Sequence, residues 1–252
     1  MKVMSRDGTA IAYSQVGSGP AVVLVDAASC YRGFGPMGEL ADALEERFTV
    51  YTYDRRGRGE STDTPPYAVE REVEDLAAVI DLAGGEAFVH GFSSGAVLAL
   101  HAAAHGLPIR ALTLLEPPLG EDSAEDPLRG ELEALLADGR RGDAYLHFQH
   151  SIGVPDEYVT GRRESPQWPA FEALAHTLVY DTVIASTLPL GRLAEIATPT
   201  LVVDSEASDA RLHAWAKGVA AALPRGTHRT LPGEWHGVAA TELAPVMAEF
   251  FS

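Results

Sequence analysis

Short, unbroken apolar runs alternate along this chain with longer segments in which apolar residues recur every three or four positions. Val22-Val23-Leu24-Val25 is such a run, as are residues 49–53, 87–89, 111–115 and 200–203. Continuous runs of this length predict strands buried on both faces of a parallel sheet. Val69, Val73, Leu76, Ile80 and Ala83 keep a period near 3.6 and predict an amphipathic helix over 69–83, which Gly84-Gly85 stops. Further helices are expected over 37–46, from the end of Gly91-Phe92-Ser93-Ser94-Gly95 to about 105, over 210–223 and over 243–251, with a short strand over 228–231. At the N-terminus, residues 3–5 and 9–16 flank Arg6-Asp7-Gly8, where Asp-Gly supplies the positive φ of a hairpin turn. Strands alternating with helices imply an α/β fold, a doubly wound and mostly parallel sheet with right-handed crossovers.

The alternation breaks once. After the run 111–115 comes Glu116-Pro117-Pro118, and the next certain strand begins at Thr200. The interval carries only helical patterns: Leu128, Leu132, Leu135 and Leu136 on one helix, Tyr145 and Phe148 on a second, Phe171, Leu174, Leu178 and Val179 on a third. Residues 118–195 are therefore expected to form a helical cap over a core made of 1–117 and 196–252.

A formal net charge of −17 over 252 residues would repel nucleic-acid backbones and anionic membrane surfaces. Cys30 is the only cysteine, so an intramolecular disulfide and a cysteine metal cluster are both excluded. The first residues lack the apolar region of a signal peptide, and no apolar window reaches membrane-span length. A cytoplasmic protein acting on a small molecule is the expectation, and oligomeric state is not legible.

The chemistry centres on Ala87 and the residues that follow it, where an apolar strand meets Gly91-Phe92-Ser93-Ser94-Gly95 and then an Ala/Leu-rich helix. Strand, sharp turn and helix are the context of a nucleophile elbow, with glycines where side chains would collide. Ser93 would stand exposed on the corner, near a helix N-terminus that favours developing negative charge. The chain resembles the α/β-hydrolase-fold serine hydrolases over nearly its whole length. Besides the elbow, the resemblance rests on residues 20–25, on Tyr53-Asp54-Arg55-Arg56-Gly57-Arg58-Gly59-Glu60-Ser61, on Pro199-Thr200-Leu201-Val202-Val203, and on Gly233-Glu234-Trp235-His236-Gly237 before a final helix. It implies Ser93 as nucleophile, His236 as base, and no cofactor or metal.

The resemblance leaves two positions open. The usual place of the acid, a few residues beyond 199–203, is Ser208, with Asp209 one step on and Asp204 at the strand's end. Glu116, directly after the strand that follows the elbow helix, is the leading candidate, with Asp209 and Asp204 as alternatives. The oxyanion hole is expected to combine the Ser94 amide with that of Ala28, Ala27 being the runner-up. Where the family commonly has His-Gly, this chain has Asp26-Ala27. A carboxylate there would repel an oxyanion unless Asp26 is turned away or paired.

Other features are weighed against simpler roles. The arginines of 55–58 lack a P-loop pattern and are expected to bond nearby carboxylates and carbonyls. His147 and His150 are spaced three apart on a predicted helix, with no partner carboxylate for a metal. Trp168, Phe171, Tyr145 and Tyr180 could line a pocket or fasten cap to core, Phe92 could form a pocket wall, and His90 is expected under the elbow. The leading expectation is hydrolysis of a small carboxylic ester or lactone through an acyl-enzyme. Alternatives are a lyase or cyclase using Asp26 and His236 as proton-handling groups, or a ligand-binding protein in which no acid reaches His236.

Overall fold

The computed structural model describes residues 1–119 and 127–252. In chain order its strands are β1 (Lys2–Met4), β2 (Ala10–Gly17), β3 (Ala21–Val25), β4 (Thr49–Tyr53), β5 (Ala87–Phe92), β6 (Ile109–Leu115), β7 (Thr200–Ser205) and β8 (Gly226–Leu231). They form an eight-stranded sheet in the order β1-β2-β4-β3-β5-β6-β7-β8. β1 and β2 pair antiparallel at one edge, while β4, β3, β5, β6, β7 and β8 run parallel. The α-helices are α1 (Met37–Leu44), α2 (Val69–Leu82), α3 (Ser94–Ala104), α4 (Leu128–Ala137), α5 (Arg141–Ser151), α6 (Asp156–Val159), α7 (Trp168–Leu174), α8 (Thr177–Ser186), α9 (Ala210–Ala222) and α10 (Ala240–Phe250).

The inner parallel strands β3, β5, β6 and β7 are mainly apolar and buried because both faces are covered, whereas the edge strand β8, Gly226-Thr227-His228-Arg229-Thr230-Leu231, is mostly polar and partly exposed. Successive side chains of a strand point to opposite faces, and β3 splits accordingly. Val23 and Val25 pack with Leu76 of α2, Val97 of α3 and Val219 of α9, whereas Val22 and Leu24 pack with Leu40 of α1 and Met247 of α10. Burying a Leu, Val or Met side chain contributes roughly 1.5–3 kcal/mol, so this double-sided core is the main source of the fold's stability.

Helices α4 to α8 occupy the interval between β6 and β7; residues 120–126 of the expected cap lie outside the described residues. These helices have an apolar centre of their own, including Leu132, Tyr145, Phe148, Phe171 and Leu178, against which Ala28, Tyr31 and Phe34 of the β3–α1 loop pack. The single helix expected around Phe171 to Val179 is in fact two. Thr177 Oγ1 donates to the Leu174 carbonyl at 2.8 Å, where the helix breaks, a side-chain bond of the kind that competes with helix continuation. The last helix also starts three residues earlier than the periodicity suggested, at Ala240. Among the described residues no helix is long and apolar enough to cross a membrane.

Candidate active site

The strand order reverses between β3 and β5, and in open α/β sheets the crevice beyond the carboxyl ends at such a switch point is where ligands bind. The ends of those two strands carry Asp26-Ala27-Ala28 and Ser93. Ser93 has φ 52° and ψ −122°, a conformation costing about 1–3 kcal/mol that only over-determined surroundings hold. The flanking glycines make the turn possible. A Cβ on Gly91 would lie 2.5 Å from Ala96 Cα, and one on Gly95 would lie 2.5 Å from the Asp26 carbonyl oxygen. Ser93 is tied by its backbone, its amide donating to the Leu115 carbonyl at 2.9 Å.

His236 stands on the β8–α10 loop with φ 53°. Its Nδ1 is 2.6 Å from Glu116 Oε2, and Glu116 Oε1 accepts from the Ser205 amide at 2.8 Å. Glu116 is fully buried and itself takes a positive φ of 46°. The other two acids are engaged elsewhere. Asp209 caps α9, accepting from the Arg211 and Leu212 amides. Asp204 Oδ2 lies 2.7 Å from His213 Nδ1 and 3.1 Å from His228 Nε2. Ser208, which stands at the family's usual acid position, accepts from the His236 amide at 3.0 Å and so pins the histidine's loop. No side-chain hydrogen bond joins Ser93 to His236 among the described residues; such a bond often tightens only once substrate is bound.

Ser93 and His236 share the walls of two adjoining cavities of about 530 and 550 Å³. Ala28, Phe148, Ile152 and Trp235 also line both. Phe92 walls the second cavity, its ring 5.0 Å from that of His236. Trp168 lines neither. It packs edge-on against Tyr145, 5.8 Å between ring centres, under the Arg163 guanidinium, and so fastens helices of the cap to one another. The reason is register: Trp168 opens α7, whose inner residues Phe171 and Leu174 are already buried.

Asp26 also lines neither cavity. It is buried, and its Oδ1 accepts from the Ala27 amide at 2.9 Å. Burial pushes its carboxyl up to about 7, against the lowering pull of that amide, Arg58, the Cys30 thiol and Arg55. The Ala27 amide is thereby occupied. Neither the Ala28 nor the Ser94 amide donates to another residue among the described ones.

Beneath the elbow the arginines of 55–58 bond carboxylates and carbonyls as their loop context predicts, in a buried ionic cluster whose acid from α8, Asp181, the sequence did not single out. Arg55 forms a fork with Glu72 and donates to Asp181 Oδ1 at 2.8 Å and to Ser94 Oγ at 3.2 Å. Ser94 Oγ donates to the same Asp181 oxygen at 2.7 Å, and Arg58 Nη2 bonds both oxygens of Asp181. Burial raises the Asp181 carboxyl, but Arg58, Arg55 and the Ser94 hydroxyl outweigh it and hold Asp181 below the usual carboxylate range. One hint was available: Asp181 falls three residues after Leu178 and three before Ile184, on the buried stripe of α8, and an acid there demands a cation. Arg56 pairs with Asp75 and Asp7, so these arginines serve internal carboxylates and carbonyls, not a phosphate cradle. His147 bonds Glu131 and His150 lies 3.7 Å from Asp156; no metal-holding group of His, Cys, Asp and Glu occurs among the described residues. His90, beneath the elbow, bonds Thr113, and burial lowers it to about 3, leaving it neutral.

Residues 17–248 match the model of a family described as the alpha/beta hydrolase family. The chain is similar to a pimeloyl-[acyl-carrier protein] methyl ester esterase of Xanthomonas campestris pv. campestris, 29% identical over 243 residues that cover 88% of this chain and 89% of that protein. A crystal structure of an alpha/beta hydrolase from Sphaerobacter thermophilus superposes with a TM-score of 0.91 at 49% identity, all of both chains being covered. The enol-lactonase of Burkholderia xenovorans LB400 superposes with a TM-score of 0.75 at 21% identity, over 100% of this chain and 99% of that one, a likeness of fold.

Proposed function

The chain belongs to the alpha/beta hydrolase family, and from that premise we propose that it hydrolyses a small carboxylic ester or lactone through an acyl-enzyme on Ser93. The observation that carries this reading is the Glu116–His236 pair at 2.6 Å beside cavities that Ser93 also lines. In the proposed reaction His236 Nε2 takes the Ser93 proton as Oγ adds to the ester carbonyl carbon. Glu116 fixes the imidazole with its proton on Nδ1 and stabilises the charged ring. The Ser94 and Ala28 amides receive the oxyanion. His236 then returns the proton to the leaving alcohol oxygen, and water repeats the sequence to release the acid. The names of the esterase and lactonase relatives favour this substrate class. A lyase or cyclase using Asp26 would need that carboxyl in a cavity, which it does not line, and a disabled site would need His236 to lack an acid.

A fluorophosphonate probe followed by intact-mass measurement tests the reading. One adduct per chain, absent in Ser93→Ala, together with Ser93-dependent turnover of p-nitrophenyl butyrate, is expected. Folded protein that neither labels nor turns over the ester would overturn it.

A further inference from the structure

The buried cluster beneath the elbow touches both segments that carry the two amides assigned to the oxyanion. Ser94 is held through its hydroxyl, between Asp181 and Arg55. The other segment is held through its backbone: Arg58 Nη1 donates to the Ala27 carbonyl at 2.7 Å. That carbonyl and the Ala28 N–H belong to one peptide unit. In a planar trans peptide the C=O and N–H point in opposite directions, so whatever fixes the Ala27 oxygen fixes the heading of the Ala28 hydrogen. Ala28 lines both cavities, whereas the guanidinium of Arg58 is buried behind the loop.

We propose that Arg58 is a positioning residue of the oxyanion hole, clamping the Ala27 carbonyl so that the Ala28 N–H is aimed at the substrate's carbonyl oxygen, with Asp181 of α8 holding Arg58 in that pose. Three features make the clamp specific. The guanidinium presents separate donors on one rigid plane, so Arg58 bonds Asp181 with Nη2 and the Ala27 oxygen with Nη1 at once. A cationic donor on a peptide oxygen also polarises the N–H at the other end of that unit, strengthening it toward an anion. The Ala27 amide is occupied by Asp26 Oδ1, which leaves Ala28 as the loop's donor. Asp181 comes from α8, in the segment between β6 and β7, so a cap helix sets the geometry of both halves of the hole.

This inference rests on the proposed serine hydrolysis, and its test separates the two. Arg58→Lys keeps a cation that can reach Asp181 but loses the fork. With p-nitrophenyl butyrate, kcat is expected to fall about 10- to 100-fold, somewhat less than loss of a whole oxyanion donor, with KM changed less than about 3-fold. A trifluoromethyl ketone adds the Ser93 oxygen to its carbonyl carbon, passes the Ser93 proton to His236 and leaves an oxyanion in the hole. Its Ki should weaken by the same factor as kcat, which a merely structural role would not produce. Asp181→Asn provides the second variant, expected to give the same paired loss, and decides the matter if Arg58→Lys does not fold. A folded variant with wild-type kcat, or one in which kcat falls while the ketone's Ki stays put, would overturn the assignment of Arg58. Wild-type protein with no Ser93-dependent turnover would instead overturn the hydrolase reading, and this inference with it.

Discussion

Glu116 meets His236 across 120 residues of chain, its Oε2 at 2.6 Å from Nδ1, while its other oxygen takes the amide of Ser205 at the end of β7. The acid therefore approaches the imidazole from β6 and is braced by the neighbouring strand. Replacing Glu116 by Gln keeps the shape and removes the charge that stabilises a protonated imidazole. We expect kcat on p-nitrophenyl butyrate to fall about 10²–10⁴-fold, on the scale seen when a triad carboxylate becomes an amide, with Asp209→Asn within about 3-fold of wild type. The reverse ranking would reassign the acid.

Asp204→Asn should behave differently from Glu116→Gln. Burial raises the Asp204 carboxyl, but Thr230, His213 and His228 outweigh this and hold it below the usual range. Because the folded value is depressed, the stabilisation is present above the unfolded value near 3.8 and is lost as pH falls through the folded one. The expected outcome is a loss of about 1.5–3 kcal/mol at pH 7, the range for hydrogen bonds to charged groups, with kcat retained. Urea unfolding at pH 7 and pH 3 measures it, and the gap between variant and wild type should narrow at the lower pH.

Asp26 carries the opposite sign. Its carboxyl, raised by burial to about 7, keeps a proton that the unfolded chain releases above about 3.8. Its contribution is complete below the unfolded value and disappears as pH rises through about 7. Relative to Asp26→Asn, wild-type stability should therefore drop by roughly 2–4 kcal/mol between pH 4 and pH 7. Denaturant unfolding of both proteins across that interval checks it; parallel pH curves would mean that Asp26 is ionised in the fold.

Gly95→Ala would place a methyl group against the carbonyl oxygens of Val25 and Asp26. Neither neighbour is a flexible side-chain end, so the strand must move. A loss of about 1–3 kcal/mol or more is expected from the overpacking. It should come with a fall in kcat, because the strand displaced is the one that leads into Ala28. A thermal scan and a kcat measurement on the same preparation decide it.

The fold was legible because its rule is local. Val22 to Val25 are apolar without a break, and only a strand covered on both faces accounts for that; Gly91 and Gly95 mark the close approach of strand and helix. The site was legible as a set of strand ends, with Glu116 ranked first among the acids by its place after the strand that follows the elbow helix, where the structure pairs it with His236. Glu116, Asp204 and Asp209 all follow strands, and spacing alone does not say which faces His236 and which faces His213 or caps a helix. Asp181 was missed because its partner Arg55 is 126 residues away, a separation with no periodic trace. Trp168 shows the converse limit, since an aromatic residue in a cap can fill a core or a cavity with the same composition.

The buried charges of Arg55 and Arg58 must be neutralised wherever the protein is folded, and one of the two carboxylates that do so, Asp181, arrives from the segment between β6 and β7. Lid grafting aimed at a new substrate range would thus remove a counterion together with the binding surface. A chimera of that sort has to import an acid at the matching turn of its helix, or have the loop after β4 rewritten in the same step.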